Sequence, residues 1–192
     1  MPSKSTLTPI KSGFTYHIYN RGNNYQDVFF KPRDYELFLK KYRIYINDYA
    51  DTFAYALLPT HYHIVVRPKE ENPAGIFVNQ LRKFIISYTN IINKDYFRNG
   101  SLFLKKFKRK VIRDEDYLRH LVYYIHINPV KHKVTDDYLT YRYSSYLALI
   151  SDAKTNLNRS ELINYFGSRD DFIAFHEIKH DESKLGGLTF ED

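Results

Sequence analysis

The order of apolar and polar positions divides the chain into short elements. Residues 14–20 (FTYHIYN) alternate and are rich in β-formers, which predicts a strand, and Arg21-Gly22-Asn23-Asn24 breaks it as a turn. Leu37, Phe38, Ile44 and Tyr45 recur at helical spacing, so 32–47 reads as a helix with Pro32 at its start. Residues 52–58 and 61–67 read as two strands joined at Pro59-Thr60, a hairpin. A second long helix is predicted over 76–92 from Ile76, Phe77, Leu81, Phe84, Ile85 and Tyr88. Asn99-Gly100 is a turn, and 101–112 (SLFLKKFKRKVI) reads as a basic strand. Asp114 caps a third helix, with Leu118, Leu121, Val122 and Ile125 at i, i+3, i+4 and i+7 as its core stripe, and Pro129 is expected to stop it.

The order β-α-β-β-α-β-α predicts an α+β fold. Its first six elements match the ferredoxin-like βαββαβ sandwich, two helices on one face of a four-stranded antiparallel sheet. The third helix then packs elsewhere, covering part of the open face. Two domains follow from the pattern: residues 1–150 as the main unit and 151–192 as a more polar C-terminal helical extension. Small helices are expected near 160–165 and 171–178, and 181–192 reads as a frayed tail.

Composition narrows the function. Lys and Arg number 29 against 22 Asp and Glu, and the net charge of +7 favours an anionic partner, nucleic acid first. The absence of cysteine removes disulfide scaffolds, cysteine nucleophiles and thiolate zinc sites. No apolar run is long enough to span a bilayer and the N-terminus has no secretory h-region, so neither membrane insertion nor export is expected. The 7 glycines form no phosphate loop and no dinucleotide fingerprint, so no nucleotide cofactor is expected. With 19 Tyr and 14 Phe, aromatic faces are available to stack bases, although core edges also account for many of them.

Three groups of residues bear chemistry. On a strand His61 and His63 point the same way while Tyr62, Ile64 and Val66 point into packing, and paired neutral imidazoles suit a metal ion. On the third helix Tyr124 and Asn128 lie about 40° apart, beside the core stripe, and project together half-buried. Asn128 as a plain helix cap and Tyr124 as a plain boundary tyrosine are the structural alternatives. Lys105, Lys106, Lys108, Arg109, Lys110 and Arg113 interleave with Phe103 and Phe107, which suits a phosphate backbone or an edge strand guarded against aggregation.

Taken in order, several segments resemble the single-tyrosine HUH transposases, in particular the REP-associated tyrosine transposases. Residues 16–22 (YHIYNRG) are similar to the family's opening strand and arginine turn. Residues 55–63 (YALLPTHYH) resemble its two-histidine stretch, and 100–108 its Gly-Leu-Phe basic strand. Residues 124–130 (YIHINPV) are similar to its Tyr-Ile-x-x-Asn-Pro signature, and 141–146 (YRYSSY) to its paired-serine segment. Thr60 and Leu58 depart from common family residues, away from the expected chemistry.

The resemblance implies a metal-dependent endonuclease and strand transferase acting on single-stranded or hairpin DNA. His61, His63 and Asn128 would be ligands of Mg²⁺ or Mn²⁺, and Tyr124 the nucleophile of a 5′-phosphotyrosine intermediate. Arg21, Lys105, Lys106, Lys108, Arg109 and Lys110 would contact DNA. Tyr16, Tyr117 and Tyr123 are assigned to packing, and His17, His120 and His126 to surface or boundary positions. The expected setting is a bacterial-type cytoplasm, at the nucleoid, as a monomer or homodimer. Three readings compete: a non-catalytic DNA binder of the same descent, a hydrolase that activates water through Glu70 or Glu71, and an RNA-binding ferredoxin-like domain.

Overall fold

The computed structural model describes residues 9–180. The expected tail at 181–192 lies outside them. Four strands, β1 (Tyr16–Arg21), β2 (Ala50–Leu58), β3 (His61–Pro68) and β4 (Lys108–Val111), form one antiparallel sheet in the order β2-β3-β1-β4. Helices α1 (Pro32–Ile46) and α2 (Ala74–Asp95) cover one face. Helix α3 (Glu115–Lys131) lies over β2 on the other, and α4 (Tyr146–Ile150), α5 (Arg159–Phe166) and α6 (Arg169–Glu177) follow. This is the ferredoxin-like α+β sandwich with an added helix carrying Tyr124 and a helical extension.

Two cores flank the sheet, and the alternation of the strands explains both. Tyr16, Ile18, Tyr62, Ile64 and Val66 turn toward α1 and α2, where they meet Phe38, Tyr42, Phe77, Phe84 and Tyr88. Each fully buried large side chain there contributes about 1.5–3 kcal/mol. Asp34 is also buried on that side. Its Oδ2 accepts the Phe30 and Lys31 amides, both at 2.9 Å, and the Tyr96 hydroxyl at 2.8 Å, which fixes the start of α1. On the opposite face Phe53, Ala54, Ala56, Leu58 and Val65 pack against Leu118, Leu121, Val122 and Ile125. Leu162 of α5 and Phe172 of α6 belong to this second core, so the extension is packed against the tyrosine helix.

Two local expectations are corrected. The basic segment 101–112 is strand only over β4; Phe103 makes a lone bridge to Gly22, and Lys105 and Lys106 lie in the exposed loop between. Pro129 does not end α3, which continues through it to Lys131, with the His132 amide donating to Asn128 O at 3.0 Å. Proline loses the bond its own N–H would make to the Ile125 carbonyl and crowds that carbonyl, but the chain beyond it is still held, the Val134 amide donating to Pro129 O at 2.8 Å. The outer edge of β2 is not left bare. The Ser145 amide donates to Tyr55 O, the Tyr55 amide to Ser145 Oγ, both at 2.9 Å, and the Leu57 amide to Tyr143 O at 3.0 Å.

Candidate active site

The site lies on the α3 side of the sheet, at the hairpin end of β3. In the strand register His63 stands between Tyr19 of β1 and Ala56 of β2, and His61 between Arg21 and Leu58. Pro59-Thr60 closes the hairpin beside them. The turn is fixed from outside: Val28 and Phe29 amides donate to Pro59 O at 2.7 and 3.1 Å, and the Gly22 amide to Thr60 O at 2.7 Å. A Cβ on Gly22 would stand 2.0 Å from the Gln26 carbonyl oxygen, so only glycine fits that crossing.

Helix α3 delivers the remaining groups. Tyr124 and Asn128, one turn apart, are buried rather than half-buried, because α3 lies against β2 and the extension closes over its back. Asn128 Oδ1 stands 3.3 Å from His61 Nε2, and its Nδ2 is buried with no hydrogen-bond partner among the described residues. The Tyr124 ring meets the His63 ring edge-on, with centroids 6.3 Å apart. Tyr124, His61, His63, Tyr19, Arg21, Tyr25, Lys108 and His132 line one cavity of about 290 Å³. The residues expected at the chemical centre therefore come together, from segments more than sixty positions apart.

Both histidines have their inner nitrogens engaged. Thr60 Oγ1 lies 2.9 Å from His61 Nδ1, and His17 Nε2 lies 2.9 Å from His63 Nδ1. With a proton on each Nδ1, both Nε2 atoms carry lone pairs, the usual arrangement of metal-binding imidazoles. Burial, followed by the neighbouring His132 charge, lowers His61 to about 4. Burial, then His17, His61 and His132, hold His63 well below the ordinary histidine value. Neutral rings are therefore retained at neutral pH. Among the described residues no group of three His, Cys, Asp or Glu is arranged around a metal position. The donor set here is two imidazoles and a carboxamide oxygen, and it fits a divalent ion. Asn128 Oδ1 facing a histidine nitrogen, with its Nδ2 unpaired among the described residues, is the observation that favours this fit.

Several contributors were not legible in the sequence. His17 is fully buried, not a surface residue, and stacks on both Tyr19 and His63, with centroids 4.9 and 5.1 Å apart. Thr60, set aside as remote from the chemistry, touches His61 directly. His132 packs edge-on against His61 at 4.6 Å, and the Lys131 ammonium lies 4.5 Å from the centre of the Tyr124 ring. His126 and His120 are likewise buried; His126 lies 2.9 Å from His176 and 2.8 Å from Ser145 Oγ, tying α3 to α6 and to the β2 edge.

The basic residues divide by strand alternation. Lys108 and Lys110 are on the α3 side, their ammonium groups 5.9 and 5.1 Å from the rings of Tyr19 and Tyr117. Arg109 pairs with Ile18 and turns to the other face, its guanidinium 5.5 Å from the Phe107 ring. Lys105 and Lys106 are exposed in the preceding loop. Arg21 faces the cavity and covers the Tyr25 ring at 3.9 Å. Glu70 and Glu71 lie beside Gly13 and Arg67 at the far end of β3, ~20 Å of strand from His61. No carboxylate lines the site cavity among the described residues, which removes the expected general base of a water-activating hydrolase.

No family model matches the chain. A protein of Haemophilus influenzae that carries the name of a REP-associated tyrosine transposase is 28% identical over 105 residues, covering 50% of this chain. The chain spans 58% of that relative's length. A solved structure of a REP-associated tyrosine transposase bound to a REP hairpin superposes with a TM-score of 0.62 and 22% identity. That match covers 74% of this chain and 82% of the other. In sequence and in fold, the chain resembles the REP-associated tyrosine transposases.

Proposed function

We propose that the protein is a transposase of the REP-associated tyrosine type, a single-strand DNA endonuclease and strand transferase. The observation that carries this reading is the convergence of Tyr124 from α3 with His61 and His63 from β3 at one cavity that Arg21 and Lys108 also line, with Asn128 Oδ1 of α3 buried 3.3 Å from His61 Nε2. His61, His63 and Asn128 are the residues that would hold Mg²⁺ or Mn²⁺. When bound, the ion withdraws charge from a non-bridging oxygen of the scissile phosphate.

The chain's own groups do the rest. Tyr124 Oη attacks phosphorus, forming a tyrosyl–phosphate ester at the 5′ side while the P–O3′ bond breaks. The phenolic proton passes to solvent, and the departing 3′ oxygen takes up a proton as a free 3′-OH. The Lys131 ammonium beside the Tyr124 ring favours the phenolate-like charge of the attack. Lys108 and Arg21, at the cavity, and Lys105 and Lys106, in the adjoining loop, offer cations to the strand. Lys110 and Arg109 extend the charge to either side of β4. Because the phosphoester is conserved in the intermediate, a second 3′-OH attacking it rejoins strands without nucleotide fuel.

All of these groups lie within one chain, so a monomer or a homodimer can carry a complete site. No helix among the described residues is long and apolar enough to cross a membrane. DNA at the nucleoid is the substrate this reading requires. The test is incubation with labelled hairpin DNA from the flanks of the gene, with Mg²⁺ or Mn²⁺, followed by a denaturing gel. A metal-dependent protein–DNA adduct is expected, and Tyr124→Phe abolishes it. Salt-sensitive binding without any adduct would instead indicate a non-catalytic DNA binder.

A further inference from the structure

The tightly built turn between β1 and α1 exposes an aromatic ring beside the site. Residues Asn23–Tyr25 form a single 3₁₀ turn in which Asn24 and Tyr25 take φ of 54° and 57°. Such left-handed conformations are unfavourable for a tyrosine and persist only where the surroundings impose them. Here they are imposed: Asn23 N donates to Leu102 O at 2.9 Å, Gln26 Nε2 to the same carbonyl at 2.8 Å, and Arg98 to Gln26 Oε1 at 2.5 Å. Glycine at 22 lets the chain cross itself at this point.

The ring held in this way does not enter the core. Tyr25 is 65% exposed, and Arg21 lies over its centre at 3.9 Å. Both residues line the same cavity as His61, His63 and Tyr124. One face of the phenol is therefore backed by a guanidinium while the rest of the ring is open. A cation behind an aromatic ring fixes its orientation without filling its outer face. The arrangement suits a flat, unpaired ring arriving from solvent, and a nucleobase of single-stranded DNA is such a ring.

We propose that Tyr25, backed by Arg21, is a stacking platform for one unpaired base next to the scissile phosphate. It rests on the proposed function for the identity of the ligand and adds the position at which a base is held. Stacking is available to all four bases, with purines offering the larger face, so the platform fixes register along the strand more than sequence. Arg21 also lines the cavity, where its charge is available to the phosphate next to that base.

The experiment measures binding of the full chain to DNA hairpins with single-stranded flanks, by fluorescence anisotropy in EDTA, so that metal-dependent cleavage does not enter. A single abasic site is moved along the flank. Tyr25→Ala is expected to weaken binding about 5- to 150-fold, as for loss of one stacked base. Tyr25→Phe binds like the parent. One abasic position weakens the parent to the same extent and leaves Tyr25→Ala unaffected. If Tyr25→Ala binds as tightly as the parent, or loses affinity equally at every abasic position, the platform is refuted. A parent that forms the covalent adduct while Tyr25→Ala binds normally overturns the platform alone. A parent that shows the abasic pattern but never forms an adduct keeps the platform and overturns the nuclease. A parent that binds none of the hairpins overturns both.

Discussion

Replacing His17 with phenylalanine isolates the positioning of His63 from the rest of the site. The two rings are buried and stacked, with His17 Nε2 at 2.9 Å from His63 Nδ1. Phenylalanine keeps a flat ring against Tyr19 and His63 but offers no acceptor, so a proton on His63 Nδ1 loses its partner. A buried donor left unpaired costs about 1–3 kcal/mol of folding stability. Loss of the outer hydrogen bond to a metal-binding imidazole lowers metal affinity about 10- to 100-fold, or about 1.4–2.7 kcal/mol. The two effects are read separately: thermal unfolding without metal, and titration with Mn²⁺ followed by the resonance signal of the free ion. The expected outcome is a folded His17→Phe protein, melting a few degrees lower, whose Mn²⁺ dissociation constant has risen by that factor. A folded variant that binds Mn²⁺ as tightly as the parent would refute the assignment of His63 as a ligand oriented through His17.

Two further outcomes follow from the second core and its buried imidazoles. Phe172 is fully buried between Tyr146, Phe166 and His176, so Phe172→Ala is expected to lose about 3–5 kcal/mol in urea unfolding; a loss near zero would detach the extension from the core. His176 is lowered to about 4 by burial, with the Phe172 carbonyl bond opposing and the His180 charge adding. Its neutral form is favoured by folding, so its contribution is full above pH 6.5 and is lost as pH falls toward about 4, at up to about 1.4 kcal/mol per pH unit. Stability measured from pH 7 to 4 should fall, and His176→Asn should flatten that slope; an unchanged slope would contradict the buried neutral ring.

Much of this architecture is legible in residue spacing, and the failures have physical causes. The i, i+3, i+4, i+7 stripe of α3 and the four-residue step from Tyr124 to Asn128 are local helical geometry, and they survive into the fold. The alternation His61-Tyr62-His63 likewise fixes which side chains share a face. His17 was missed because its role depends on the antiparallel register of β1 on β3, a long-range pairing that no short window encodes. A histidine two residues before Tyr19 on a strand of the same sheet was the only available signal. Lys131 and His132 were missed because Pro129 reads as a helix stop, whereas α3 continues and turns both residues back over the site. Ser144 and Ser145 carry no periodic signal at all; they act by covering the β2 edge and, through Ser145, by anchoring His126.

Mapping the adduct decides whether Tyr124 is the nucleophile. Trypsin releases residues 120–131 (HLVYYIHINPVK) as one peptide, which contains both Tyr123 and Tyr124. Tyr123 packs toward Tyr138 and Phe175 on the extension side, while Tyr124 lines the cavity. Fragmentation of that peptide after reaction with hairpin DNA and Mn²⁺ should place the nucleotide mass on Tyr124. Nucleotide on Tyr123 or on any other tyrosine would exclude Tyr124 as the nucleophile.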